Sequence, residues 1–223
     1  NLVFPRENFI LPQLKSNTMW PKVKKCLKKL WWFIWEDESI WSWLVNIVLA
    51  FILIKFIVYP GLGLLFGTSF PVVAVVSGSM EHDGTFEDWW SSETALCESH
   101  RCQQGTWYTT VAITEEEFQE FSFSNGFNKG DIMVLFGVEA ENIKTGDVIV
   151  FQSQQKADPI IHRVVEIDEN YVFTTKGDHN PSSGDIDQNI IENNIYGKAV
   201  FRIPFLGWIK IAFVYLLQLI GVY

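Results

Sequence analysis

Five residues of this 223-residue chain have the types and the order to do chemistry together: Ser79, His162, Asp178, Asp185 and Asp187. Ser79 lies in residues 71–82, PVVAVVSGSMEH, where a β-branched apolar run at 72–76 drives into Ser77-Gly78-Ser79-Met80. A serine hydroxyl is a weak nucleophile. It attacks a carbonyl only with a base in hydrogen-bond reach and an acid that orients the base. The histidines are His82, His100, His162 and His179. Of these, His162 lies inside a strand-like run, IIHRVVEI, which is rigid enough to hold an imidazole in place. The aspartates follow in TTKGDHNPSSGDID, and any of the three could hold the imidazole and stabilise its charged form. Singly these motifs are ordinary turns, since Gly-Asp also recurs at Gly130-Asp131 and Gly146-Asp147. Their order is what carries the reading.

Such residues need a frame. The runs at 131–138 (DIMVLFGV), 147–152 (DVIVFQ), 160–167, 171–175 (YVFTT) and 195–203 (IYGKAVFRI) are β-rich and bounded by turn residues. They predict a mainly β, antiparallel domain over residues 71–204, with 72–76 as a further strand. Residues 83–128 interrupt it as an insertion, expected to be helical near 114–121, where Thr114 can N-cap and Glu117 can complete a capping box. The insertion's Trp89, Trp90 and Trp107 are expected to dip into a membrane surface or to cover the site.

Residues 41–59, WSWLVNIVLAFILIKFIVY, are almost unbroken apolar sequence, and residues 41–70 are expected to form a transmembrane segment. Residues 1–40 read as a tail carrying a basic amphipathic helix, KVKKCLKKLWWFIW, of interfacial composition. Lysines before the span and acids after it place the N-terminus in the cytoplasm and residues 72–200 outside. Residues 205–223 read as a C-terminal membrane segment, either a second span or an interfacial helix. The net charge of −9 is concentrated in residues 72–200, with seven basic and 22 acidic residues, which excludes nucleic acid as a partner. Three cysteines cannot all pair: Cys97 and Cys102 can form a disulfide if their loop is extracytoplasmic, and Cys26 reads as a free thiol. The alternative use of Cys97 and Cys102, with His82 and His100, is a zinc site.

The blocks SGSME, KGDIMVLF, TGDVIVF, IIHRVVEI and TTKGDHNPSSGD, in this order after a span, resemble type I signal peptidases of the archaeal and endoplasmic-reticulum branch. Apart from the insertion, the resemblance covers most of residues 41–207. It implies an antiparallel β catalytic domain anchored by an N-terminal transmembrane helix and a C-terminal hydrophobic helix. It implies a membrane-bound serine endopeptidase that removes signal peptides from secretory precursors at small-x-small sites, without metal or cofactor. By position, Ser79 would be the nucleophile, and His162 stands where the bacterial branch has a general-base lysine. Asp185 matches the family acid, and Asp178 is the other family-matching acid. The Ser79 N–H and the Ser77 hydroxyl would form the oxyanion hole. Val75, Val76, Ser77, Gly78, Ile160 and Ile161 would wall the groove that takes the cleavage segment as an added strand. The implied partners are secretory preproteins, the lipid bilayer, and translocation machinery or partner subunits. The implied location is the cell membrane, or the endoplasmic-reticulum membrane in a eukaryote, with the catalytic domain extracytoplasmic. The rival readings are a non-catalytic membrane-anchored β-domain subunit of a secretion complex and a metal-binding extracytoplasmic domain.

Overall fold

The structure, a computed structural model, describes residues 20–219. The first 19 residues of the expected tail and the last four residues of the C-terminal segment lie outside the described residues. The chain divides into two units, residues 1–56 and 57–223.

The first unit holds helices α1 (Trp20–Trp35) and α2 (Ile40–Leu53). Ser39 caps α2 by accepting from the Ser42 N–H, which satisfies one of the orphan donors of a helix start. The helix runs on through a π-helical stretch, Ile54–Val58, into α3 (Tyr59–Phe66). Pro60 has no N–H to give the preceding turn, and a π-helical turn is one way a helix absorbs that loss. Gly67, at φ 66°, stops the helix in the left-handed conformation. The result is a continuous helix over Ile40–Phe66, 27 residues at mean hydropathy 2.3. Among the described residues it alone is long and apolar enough to cross a membrane. It falls four residues short of the expected end at position 70, because Gly67 terminates it.

In the second unit, the chain leaves α3 and enters β1 (Val72–Ala74). The insertion follows: α4 (Phe86–Trp90), β2 (Ala95–Cys97), β3 (His100–Cys102), α5 (Gln104–Thr110) and α6 (Glu115–Glu120). Then come β4 (Ile132–Phe136), β5 (Val148–Phe151), β6 (Ile160–Ile167), β7 (Phe173–Lys176), β8 (Ile195–Ile203) and α7 (Trp208–Leu219). Six strands form one antiparallel sheet in the order β1-β4-β8-β5-β6-β7, as the strand pattern predicts. Its central strand β5 is buried on both faces. Val148 and Val150 enter one core with Val75, Met80, Met133 and Leu135, while Ile149 and Phe151 enter another with Ile160, Val164 and Phe173. Period-2 alternation splits a continuous apolar run between two layers.

The insertion corrects the mainly β expectation, since it adds three helices beside the sheet. The Thr114 and Glu117 capping box forms as read, and a second box at Thr85 and Asp88 starts α4. The tryptophans differ from expectation. Trp89 and Trp107 are 1% and 8% exposed, packed with Phe86, Tyr108, Phe118 and Val165 of β6 in a core of their own. Burying aromatic area against one strand of the sheet is what fixes the insertion on the domain. The β2–β3 hairpin is closed by a Cys97–Cys102 disulfide, so these thiols are not free to serve the alternative zinc set. Among the described residues α7 has 12 residues, fewer than the ~20 a span needs.

Candidate active site

The segment carrying Ser79 is anchored at both ends. Val75 is still tied to the sheet, its N–H donating to Asp131 O and its carbonyl accepting from Gly130 N, both at 2.9 Å. Met80 is fully buried, and its carbonyl accepts from Phe127 N at 3.0 Å. Between these anchors Val76 and Ser77 are exposed and Ser79 is half-buried. The φ of Gly78 is not in the left-handed region. Its constraint is room: a Cβ there would come within 2.9 Å of the Glu81 carboxylate.

His162 sits on β6 opposite Ile149 of β5 and is buried. Its Nε2 is 3.1 Å from Ser79 Oγ, and its Nδ1 is 2.5 Å from Asp187 Oδ1. Asp187 is held in turn: Thr175 Oγ1 donates to Oδ1 at 2.8 Å, and Gly184 N donates to Oδ2 at 3.1 Å. A carboxylate only accepts, so the Nδ1 proton faces Asp187 and the Nε2 lone pair faces the Ser79 hydroxyl. Burial would raise the Asp187 pKa, but the hydrogen bond and charge of His162, with Thr175 and Gly184, bring it below the usual carboxylate value. Ser77 Oγ lies 3.2 Å from Ser79 Oγ. This arrangement can pass a proton from a serine hydroxyl to an imidazole whose resulting charge is met by a carboxylate.

A cleft of about 650 Å³ opens on these groups, lined by Val76, Ser77, Gly78, Ile160 and Ile161 among others. β7 pairs with β6 only from Arg163 onward, so Ile160 to His162 lack a strand neighbour on that side.

No family model matches the chain. Curated relatives do. The signal peptidase complex catalytic subunit SEC11C of Homo sapiens is 29% identical over 103 residues, 40% of this chain and 52% of the relative. The catalytic subunit SEC11 of Colletotrichum graminicola is 30% identical over 99 residues, 40% and 58% of the two chains. That of Lodderomyces elongisporus is 31% identical over 100 residues, 40% and 59%. The chain is a distant homologue of signal peptidase catalytic subunits. It spans about half the length of the curated relatives it matches.

Within this signal peptidase homologue the expected residues separate. Ser79 and His162 come together as expected. Asp185 does not join them: it is exposed, and Asp187 occupies the place beside His162. Both belong to one 3₁₀ turn, Asp185–Asp187, in which the Asp187 side chain and backbone both close onto Gly184. That closure turns Asp187 inward and leaves Asp185 facing solvent. Val75 also departs from expectation. It is 1% exposed and packs in the core, so it does not line the cleft, whereas Val76 does.

Asp178 is buried elsewhere. Its carboxylate accepts from Arg163 Nε at 3.0 Å and Nη2 at 2.8 Å, and from Tyr108 Oη at 2.9 Å, with His82 Nε2 at 3.1 Å. Burial would raise its pKa, but the Arg163 charge and the His82 hydrogen bond hold it well below the carboxylate range. Next to it, burial pushes the Lys176 ammonium down to about 7. Lys176 Nζ donates to Gln104 Oε1 and to the Gly177 and Asp178 carbonyls, over the rings of Trp107 and Tyr108. Trp89 Nε1 and Gln104 Nε2 donate to the Asp178 and Asn180 carbonyls, and Leu96 N to Pro181 O. The insertion therefore grips the start of the loop whose end carries Asp187. None of these contacts is legible from the motif order. Gly177 leaves no room for a side chain: a Cβ there would lie 2.7 Å from Asn180 Nδ2 and 2.8 Å from both His162 Nε2 and Ser79 O.

Proposed function

We propose that this chain is a membrane-bound serine endopeptidase that removes signal peptides from secretory precursors. The observation that carries this is the hydrogen-bonded series Ser79–His162–Asp187, whose serine and histidine line a cleft, in a homologue of signal peptidase catalytic subunits.

Ser79 Oγ attacks the scissile carbonyl while His162 Nε2 takes its proton. Asp187 stabilises the imidazolium and keeps the ring in the tautomer that receives at Nε2. The Ser79 N–H and the Ser77 hydroxyl donate to the oxyanion, and one such donor is typically worth about 10²–10³ in rate. On collapse, His162 returns the proton to the leaving amine. It then draws a proton from water, which hydrolyses the acyl-enzyme. The cleavage segment lies extended along Val76–Gly78 and the free edge of Ile160–His162, adding as a strand. Asp178 supports the site through the loop it anchors and takes no part in proton transfer.

The helix Ile40–Phe66 tethers the enzyme in the bilayer that also holds the signal segment, which raises the effective concentration of substrate. The second unit acts on the extracytoplasmic side, with the N-terminus cytoplasmic, and further subunits of a signal peptidase complex are its partners. The test is cleavage of a precursor carrying an Ala-x-Ala site by the reconstituted chain. Ser79→Ala should lower the rate at least about 10³-fold without changing the thermal melt. Full cleavage by that variant would end the serine mechanism.

A further inference from the structure

Helix α1 has a lysine side and an apolar side. At 3.6 residues per turn, Lys22, Lys24, Lys25, Lys28 and Lys29 fall on one half of its surface. Val23, Cys26, Leu27, Leu30 and Trp31 fall on the other half. Val23, Leu27, Leu30 and Trp31 are 46%, 58%, 53% and 64% exposed, so nothing among the described residues covers this stripe. Trp32 and Trp35 lie on the lysine side near the helix end and are exposed too.

The end of α1 is fixed on the start of the spanning helix. Ser42 Oγ donates to Phe33 O at 2.5 Å, and Asn46 Nδ2 donates to Ile34 O at 2.9 Å. These carbonyls are among the last of α1 and would otherwise lack partners. The two polar residues that interrupt the apolar span at its start thus serve as a clasp. They hold the last turn of α1 beside the first turns of α2. A helix clasped there, with one apolar side, lies where the span enters the bilayer.

We propose that α1 is an interfacial helix that binds anionic lipid headgroups. The apolar stripe sinks to the acyl boundary, the tryptophans sit at headgroup level, and the lysines meet phosphate and carboxylate groups of the leaflet. Clustered lysines beside a span are attracted to a negatively charged leaflet, each worth about fivefold in partitioning. The exposed apolar stripe favours a bilayer over a nucleic acid, which would engage the lysines and leave the stripe in water. This inference concerns the first unit alone and stands apart from the proposed proteolysis.

Cys26 supplies the probe. It is free and exposed at the border of the stripe, while Cys97 and Cys102 are paired. The full chain, labelled at Cys26 with a polarity-sensitive fluorophore, is reconstituted in vesicles of phosphatidylcholine alone or with about 30 mol% phosphatidylserine. The expected result is a further blue shift of emission in the anionic vesicles, reversed at about 0.5 M salt. A variant carrying Lys22→Gln, Lys24→Gln, Lys25→Gln, Lys28→Gln and Lys29→Gln should emit alike in both lipids. Equal emission of the parent chain in the two lipids would overturn the proposal. So would a salt-sensitive shift produced by added RNA and not by anionic lipid.

Discussion

His162–Asp187 and His82–Asp178 are both buried histidine–aspartate pairs of the same domain, 2.5 and 3.1 Å apart. They differ in what the second ring nitrogen meets. For His162 it is Ser79 Oγ at the cleft. For His82, Nδ1 is buried without a partner among the described residues, and the ring stacks on Trp89 with centroids 3.7 Å apart. The acids differ as well. Asp187 binds one imidazole, a hydroxyl and a backbone N–H, so its charge is available to a cation that forms on His162. Asp178 is already neutralised by two N–H groups of Arg163. The same residue pair is thus placed for proton transfer, the role proposed for it, where it borders a cleft, and is a strut where an insertion seals it.

Substitutions can break this contrast. The largest effect is expected at Asp187→Asn, which should lower kcat about 10⁴-fold with little change in KM, because the ring loses its orienting acceptor. Asp185→Asn should stay within about twofold of the parent, as an exposed surface change. Equal losses from both would mean that the two carboxylates share the role. Asp178→Asn should act on stability instead. It strands the buried Arg163 charge, at a cost of about 3–5 kcal/mol read from denaturant unfolding. A variant that unfolds like the parent but fails to cleave would put Asp178 in the chemistry.

Gly177→Ala should lie between these. Its Cβ would press on His162 and the Ser79 carbonyl, and a displacement of that size costs about 10² in rate. Thermal unfolding should move much less than the rate does. Tyr108→Phe removes one donor from a charged acceptor and should cost about 1.5–3 kcal/mol of stability, with kcat per folded molecule unchanged.

The smallest expected effect is a pH slope. Lys176 is depressed to about 7 in the fold, below its unfolded value near 10.4. Between these values the unfolded chain binds the extra proton, so stability rises with pH. The parent should therefore melt higher at pH 9 than at pH 7, and Lys176→Gln should lose that part of the slope. An equal slope in both would show that Lys176 titrates normally.

Much of the frame was legible in the sequence because it rests on local patterns. The strands β6 and β8 fall at the boundaries read from alternation and turn residues. Thr114 and Glu117 form the capping box that their spacing predicts. The long apolar helix follows from apolar length, and its end is set by a glycine at positive φ. Helices α4 and α5 were not legible: each is under two turns long and is held by aromatic packing more than by its own periodicity. The burial of Trp89 and Trp107 was missed for the same reason, since an exposed aromatic and a packed one read alike in a linear sequence.

The sequence by itself determined the chemistry available and its order along the chain: a serine after an edge strand, a histidine within a strand, and acids in a later loop. Tertiary structure decided which acid meets which histidine. Asp185 and Asp187 share one turn and nearly one composition, but only Asp187 closes onto Gly184 and reaches His162. Asp178 is drawn to Arg163 because an insertion remote in sequence seals them together. Residue type sets what a group can do. The path of the backbone and the access of water set whether it faces a cleft or a core.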